Sequence, residues 1–338
     1  MKLINELFAP SRFTLLTAPV ASGKTKLIVD FYSEVHYKII FISPLRALAN
    51  EVYKNLLDKD KNIFLAGGEM KTQESMINFL QAKKAFFITT MELLSEDFLE
   101  ACAEQSEKIL FIIDEFHLIY HWGDTFRPVL HDRWLALLDT QSPVLGLTAT
   151  MSAELLIQLE SDLFYHNDTW IHVDYGNLKL QRTPKKIHYY SINNSKLFNR
   201  ALWRELRLKE KNDVYLIFCS FRSEVDELVS RSRRLGLSAL GCVGGEVENF
   251  LADLEKTNGD VDCIFSTTTL SHGVNLPEIS KVFINYEVKN FDFWLQMIGR
   301  GGRRGGDYEV YTFDTFWGTK KNLLKNKLAN YLSDFIGI

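Results

Sequence analysis

The chain has 338 residues, about twice the size of a typical domain, so two domains are expected. A net charge of −4 excludes a polybasic nucleic-acid coat but leaves room for a local basic groove. The four cysteines, Cys102, Cys219, Cys242 and Cys263, show no C-x-x-C pairing, and no apolar stretch approaches the ~18 residues of a membrane span. Neither a structural zinc nor a membrane is expected, and the expected setting is a reducing cytoplasm.

Along the first half, apolar β-rich runs predict strands at Phe13–Ala18, Tyr37–Ser43, Ile63–Ala66, Ala85–Thr89, Ile109–Ile113 and Val144–Thr148. Helical patterns fall between them at Lys24–Phe31, Leu45–Leu57, Gln73–Leu80 and Met91–Glu100. The polar stretch Asp174–Lys186 reads as a linker, placing one domain at 1–176 and the other at 177–338. The rhythm then resumes with strands at Lys186–Ile192, Val214–Cys219, Ser238–Cys242, Val261–Ser266, Lys281–Asn285 and Glu309–Phe313. Helices are predicted at Leu197–Leu208, Ser223–Leu235, Val247–Glu255 and Asp292–Ile298, and an amphipathic helix over Lys320–Ile338 closes the chain. Continuous apolar strands alternating with helices predict an α/β fold with parallel sheets covered on both faces.

Strand Phe13–Ala18 runs into a small-residue loop ending Gly23-Lys24-Thr25, and a helix follows. That context suits a P-loop: backbone amides of Ala21, Ser22 and Gly23 cradle phosphates, Lys24 neutralises them, and the Thr25 hydroxyl binds Mg²⁺. Ala18 stands where the pattern usually has its first glycine. Ile109–Ile113 ends in Asp114-Glu115-Phe116-His117, which sets carboxylates at the C-terminal end of a strand. There Asp114 would hold Mg²⁺ and Glu115 would polarise an attacking water. The bland alternatives are a chance strand–turn–helix and two solvated acids.

The pair A-x-x-x-x-G-K-T and D-E-x-H resembles the superfamily 2 helicases of DExH type. Further segments follow in that family's order: Ser43-Pro44-Leu45-Arg46, Thr89-Thr90-Met91-Glu92, Thr148-Ala149-Thr150, Phe218-Cys219-Ser220, the run from Ser266 to Pro277, and Q-x-x-G-R-x-G-R at Gln296–Arg303. The resemblance implies two tandem RecA-like domains with ATP·Mg²⁺ gripped between them. It assigns Gln296, Arg300 and Arg303 to catalysis, with Arg303 as the first choice for an arginine finger. Gly273 and Asn275 would touch nucleotide, and His117 would link phosphate sensing to Thr148 and Thr150. A flexible basic loop at 296–303 and a packing role for His117 stay open.

The segment after D-E-x-H, with Trp122, Gly123, Phe126, Arg127 and Pro128, is similar to the aromatic-rich loop of RecQ helicases. In that family the loop senses single-stranded DNA. Trp122 and Phe126 offer stacking faces and Arg127 a phosphate contact; the alternative makes the aromatics core anchors and pairs Arg127 with an acid. The run T-L-S-H-G-V-N-L-P resembles superkiller-type helicases instead, and no cysteine cluster matches the RecQ zinc domain. Softer phosphate-binding candidates are Ser43, Arg46, Thr89, Thr90, Ser220, Arg222, Thr267 and Thr268, with Gly67-Gly68, Gly244-Gly245 and Thr269 beside them; each alone also reads as a turn or helix cap. The expected partners are single-stranded or partly duplex DNA, or RNA, and a protein that supplies targeting or processivity. The expected activity is a nucleic-acid-stimulated ATPase, for which the RecQ resemblance implies DNA and 3′→5′ polarity, the alternatives being an RNA remodeller or a binding subunit that uses ATP as a switch.

Overall fold

The computed structural model describes residues 12–34, 37–57, 60–67, 69–123, 127–166, 169–271 and 274–314. The helix expected at Lys320–Ile338 lies outside them. The chain divides into two compact units, 1–181 and 182–338.

In the first unit β1 (Arg12–Thr17), β2 (Lys38–Ile42), β3 (Ile63–Leu65), β4 (Phe86–Thr89), β5 (Ile109–Ile113), β6 (Val144–Thr148) and β7 (Thr169–Asp174) form one sheet. Its order is β3-β4-β2-β5-β6-β1-β7, and every pairing is parallel. The strand period of two sends alternate side chains to opposite faces. Ile39 and Phe41 therefore join one core with Phe86, Ile88, Leu110 and Ile112, while Ile40 and Ile42 join the other with Phe87, Phe111 and Ile113. Full burial of each such side chain contributes roughly 1.5–3 kcal/mol, so both faces need helical cover. That cover comes from α1 (Lys24–Glu34), α2 (Arg46–Leu57), α3 (Glu69–Gln81), α4 (Glu96–Ala103), α5 (Leu118–Gly123), α6 (Val129–Leu138) and α7 (Ala153–Tyr165).

Besides the added helices α5, α6 and α7, two elements depart from the sequence expectation. Met91–Glu100 is broken into a short turn at Met91–Leu93 and α4, because Ser95 accepts the Phe98 amide at 3.3 Å and starts a new helix. Strand β7 adds an edge that the sequence reading lacked; its residues are half-exposed and form no continuous apolar run.

The second unit repeats the plan with β8 (Lys186–Tyr190), β9 (Tyr215–Phe218), β10 (Ala239–Cys242), β11 (Cys263–Ser266), β12 (Lys281–Ile284) and β13 (Glu309–Phe313). Its parallel order is β10-β11-β9-β12-β13-β8. The helices are α8 (Ser195–Arg207), α9 (Arg222–Arg234), α10 (Val247–Lys256) and α11 (Phe291–Ile298). Parallel strands put all their C-terminal ends at one edge, so within each unit the loops that carry the motifs share that edge.

Candidate nucleotide and nucleic-acid sites

In the first unit β6 lies between β1 and β5, so the loop after β1 and the acids after β5 emerge two strands apart. In the loop Ala21 has φ 69° and Gly23 has φ 82°. Left-handed residues of this kind turn successive amides into an anion-binding concavity. A Cβ built on Gly23 would meet nothing within 4 Å, so it is the backbone conformation that selects glycine there. Lys24 opens α1 and its Nζ donates to the Ala18 and Pro19 carbonyls, each at 3.4 Å. Thr25 follows as the second residue of that helix.

Asp114 is 9 % exposed and accepts the Glu115 amide at 3.0 Å. Glu115 itself has φ 49°, which throws the chain sideways before Phe116. The Phe116 ring then inserts beside Phe13 and Trp134, with centroids 4.9 Å and 5.1 Å away. Gly146 on β6 makes room for this cluster: a Cβ there would lie 2.7 Å from the Phe13 ring and 3.1 Å from Phe116. The acidic motif is thus anchored by the aromatic that immediately follows it.

His117 is fully buried, and its Nδ1 lies 2.8 Å from the Thr148 hydroxyl. That hydroxyl also donates to the Thr150 carbonyl and accepts the Thr150 amide. Thr148 has one proton to give, so all three contacts are satisfied when His117 Nδ1–H is the donor. Burial holds the imidazole well below its ordinary range, with the charges of His121 and Lys24 adding to the effect. Glu115 Oε2 stands 3.6 Å away. A neutral histidine therefore ties the acidic motif to the Thr148–Thr150 turn.

A segment that the sequence reading took for plain linker is bonded to the same edge. Tyr175 donates to Thr17, Val20 to Lys179 and Leu178 to Ala149, at 2.8, 3.0 and 3.0 Å. Asn177 grips Met151 twice, accepting its amide at 2.9 Å and donating to its carbonyl at 2.7 Å. The amides of Asn177 and Gly176 cap the Asp174 carboxylate and hold its pKa low. Nothing in local propensity pointed to Asn177 beyond its fitness for a turn.

The first unit brings several predicted nucleic-acid residues together. Ser43 follows β2 and donates to the Leu45 carbonyl; Thr89 ends β4 and donates to the Thr90 carbonyl. Both are buried, as is Thr90, whereas Arg46 is exposed at the start of α2. Arg127 is ion-paired with Glu92, lies 3.4 Å from the Pro44 carbonyl, and has its guanidinium 5.1 Å from the Trp122 ring centroid. Trp122 also packs on the core. The stacking face and the cation are thus engaged with each other, and Glu92 from another predicted motif holds the pair. Phe126 lies outside the described residues.

The second unit gathers its own motifs. Arg222 donates to the Gly244 carbonyl, and Thr267 and Thr269 hydroxyls lie 2.9 Å apart beside Gly244. Ser220, Thr268 and Asn275 are exposed, and Gly273 lies outside the described residues. Gln296 is buried on α11. Arg300 is 1 % exposed and its Nη1 donates to Val274 at 2.7 Å, while the exposed Arg303 donates back to Gly299 at 3.2 Å. Three further residues set this loop, and the sequence reading passed over all of them. Glu278 accepts the Arg304 and Gly306 amides at 2.7 and 3.1 Å, Arg304 reaches the Leu276 carbonyl, and Tyr308 packs over Gly301-Gly302.

Among the described residues no three His, Cys, Asp or Glu side chains cluster as a metal cage. Mg²⁺ carried by nucleotide phosphates needs only one or two protein oxygens. Asp114, held by the Glu115 amide on the same edge as the phosphate loop, fits that demand.

Residues 2–157 match the DEAD/DEAH box helicase family, and residues 198–305 match the helicase conserved C-terminal domain. Over 315 residues the chain is 22% identical to the ATP-dependent helicase SGS1 of Saccharomyces cerevisiae, covering 89% of this chain and 20% of that protein. It is 22% identical to the ATP-dependent DNA helicase RecQ of Bacillus subtilis, covering 79% and 45%. It is also 23% identical to the DExH-box ATP-dependent RNA helicase DExH13 of Arabidopsis thaliana, covering 86% and 16%. The chain thus spans a fraction of the length of these relatives. Among solved structures, Mycobacterium smegmatis helicase Lhr bound to ssDNA and AMP-PNP aligns with a TM-score of 0.66 at 19% identity, covering 93% of this chain and 45% of that one. S. cerevisiae Dbp5 bound to RNA and ADP BeF3 aligns with a TM-score of 0.66 at 13%, covering 94% and 83%. The two parallel sheets are those of tandem RecA-like helicase domains.

Proposed function

Because the chain carries a superfamily 2 DEAD/DEAH-box helicase core with a helicase conserved C-terminal domain, we propose that it is a nucleic-acid-stimulated ATPase that steps along single-stranded DNA. The observation that carries this reading is the shared edge of the first sheet. Lys24, Asp114, Glu115 and the His117–Thr148 bond meet there around a loop whose left-handed residues suit phosphate. Lys24 neutralises the β- and γ-phosphates, and Glu115 takes a proton from the attacking water. Asp114 and Thr25 would hold Mg²⁺, which when bound would neutralise charge on the phosphate oxygens. By the helicase resemblance Arg303, with Arg300 beside it, would stabilise charge building on the γ-phosphoryl, and Gln296, Gly273 and Asn275 would contact nucleotide. Arg46, Ser220, Arg222, Thr267 and Thr268 track the sugar–phosphate backbone, which favours no sequence, while the buried Ser43, Thr89 and Thr90 shape the loops beside them. Trp122, Phe126 and Arg127 report bound strand to the ATP site, and 3′→5′ movement follows the RecQ resemblance.

The RecQ-type relatives favour DNA. The RNA helicase among the relatives supports RNA as a second substrate class. ATP turnover measured with single-stranded DNA, with RNA and with neither separates the readings. DNA is expected to stimulate most, and Lys24→Ala and Glu115→Gln are each expected to abolish turnover. Equal turnover with and without nucleic acid would overturn the motor reading, and stronger stimulation by RNA would reassign the substrate.

A further inference from the structure

A cavity of about 640 Å³ opens between α8 and α9 of the second unit, and none of its lining residues has a role in the reading above. The size is that of a ligand cleft. Arg200, Arg204 and Arg207 line it at i, i+4 and i+7, so the helical repeat sets them on one face of α8 over about 10 Å. Arg231 faces them from α9, its guanidinium 4.0 Å from the Trp203 ring centroid. This stack orders the guanidinium plane and leaves its N–H edge for a carboxylate or phosphate.

The acids nearby cancel only part of this charge. Glu205 bonds Arg204 at 2.8 Å but is shared with Lys281, so the trio stays cationic. Glu224 is committed to the Ser220 amide and to Asn285. Among the described residues Arg200 and Arg207 make no ion pair. Glu227 is the remaining carboxylate of the wall, one turn before Arg231.

We propose that this groove docks an acidic segment of a partner protein in which carboxylates alternate with apolar side chains. The carboxylates pair with the arginine row, and the apolar side chains meet the shelf of Leu208, which is 71% exposed, with Trp203 and Leu228 beside it. A sugar–phosphate backbone suits the site less well. It has no use for that apolar shelf. The chain's own C-terminal stretch is rich in lysine (Lys320, Lys321, Lys325 and Lys327) and has the wrong sign to fill the groove. The proposal stands independently of the motor reading.

Fluorescence anisotropy on the full chain tests it. The probe is a short labelled peptide of aspartate and glutamate with leucine and phenylalanine interspersed. Saturable binding that weakens with salt is expected, with affinity falling at least about tenfold in the Arg200→Glu/Arg207→Glu double variant. Both side chains are exposed, so the variant is expected to keep the wild-type melting temperature. Lys71→Glu, an equivalent charge reversal in the first unit, leaves peptide binding unchanged. Absence of saturable binding overturns the proposal, as does equal binding by the double variant and wild type. A double variant that loses a single-stranded oligonucleotide but keeps the peptide overturns it in favour of a nucleic-acid surface.

Discussion

Replacing His117 by asparagine should remove an acid sensitivity that the buried imidazole builds into the first unit. Asparagine places an N–H donor near the position of Nδ1, so the bond to Thr148 survives while the titrating group is lost. In the fold the imidazole is held well below its ordinary range, chiefly by burial. In the unfolded chain it titrates near 6.5. Stability tied to this group is therefore intact above about pH 6.5 and falls as pH drops below it, because protons then bind the unfolded state preferentially. At pH 5 the unfolded state gains about 2 kcal/mol from this one site. Urea titrations followed by tryptophan fluorescence at pH 7.5 and 5 measure the effect. Other groups contribute to both proteins, so the informative quantity is the difference between them. Wild type should lose more than His117→Asn, by at most about 2 kcal/mol. Parallel losses would refute the argument and would mean that His117 protonates in place, stabilised by Glu115 at 3.6 Å.

Three other substitutions test separate parts of the structure. Gly301→Ala drives a methyl into the buried Tyr308 ring, so the second unit should lose about 1–3 kcal/mol in a thermal or urea melt; an unchanged midpoint would mean the ring yields freely. Glu92→Gln removes the ion-pair partner of Arg127, and single-stranded DNA affinity by anisotropy should rise several-fold, whereas identical affinity would mean that Arg127 never leaves Trp122 for DNA. Asp162 accepts from Tyr120, Trp134 and His131 at 2.9, 3.0 and 3.2 Å, so Asp162→Ala should cost about 2–4 kcal/mol, and a loss under about 1 kcal/mol in urea would show that the donors find other acceptors.

The parallel strands were legible because burial on both faces demands unbroken apolar runs, as in Ile109–Ile113 and Val144–Thr148. Edge strand β7 was not, because one exposed side lets polar Thr169, His172 and Asp174 interrupt the run. The break inside Met91–Glu100 was readable in principle from Ser95 followed by two acids, a helix-start signal that the apolar period overrode. Within the candidate site, the order of motifs singled out Lys24, Asp114 and Glu115, since phosphate chemistry restricts residue type and spacing. The supports escaped notice because they are long-range. Asn177 reaches Met151 and Asp162 reaches Trp134 across sequence gaps that carry no period. Glu278 and Tyr308 likewise act on a loop that lies far from them along the chain.

The left-handed backbone at Glu115 has a consequence for how such a chain ages under mutation. A glutamate at φ 49° occupies a region that glycine and asparagine enter at lower cost. Replacements there that discard the carboxylate would thus tend to firm the fold, while under the role proposed for Glu115 they would end turnover. A lineage released from selection on ATP turnover should surrender this position early, with glycine or asparagine as the favoured arrivals. Retention of glutamate at residue 115 across related chains would then record continuing demand for the chemistry, whereas the apolar strand before it would persist for folding alone.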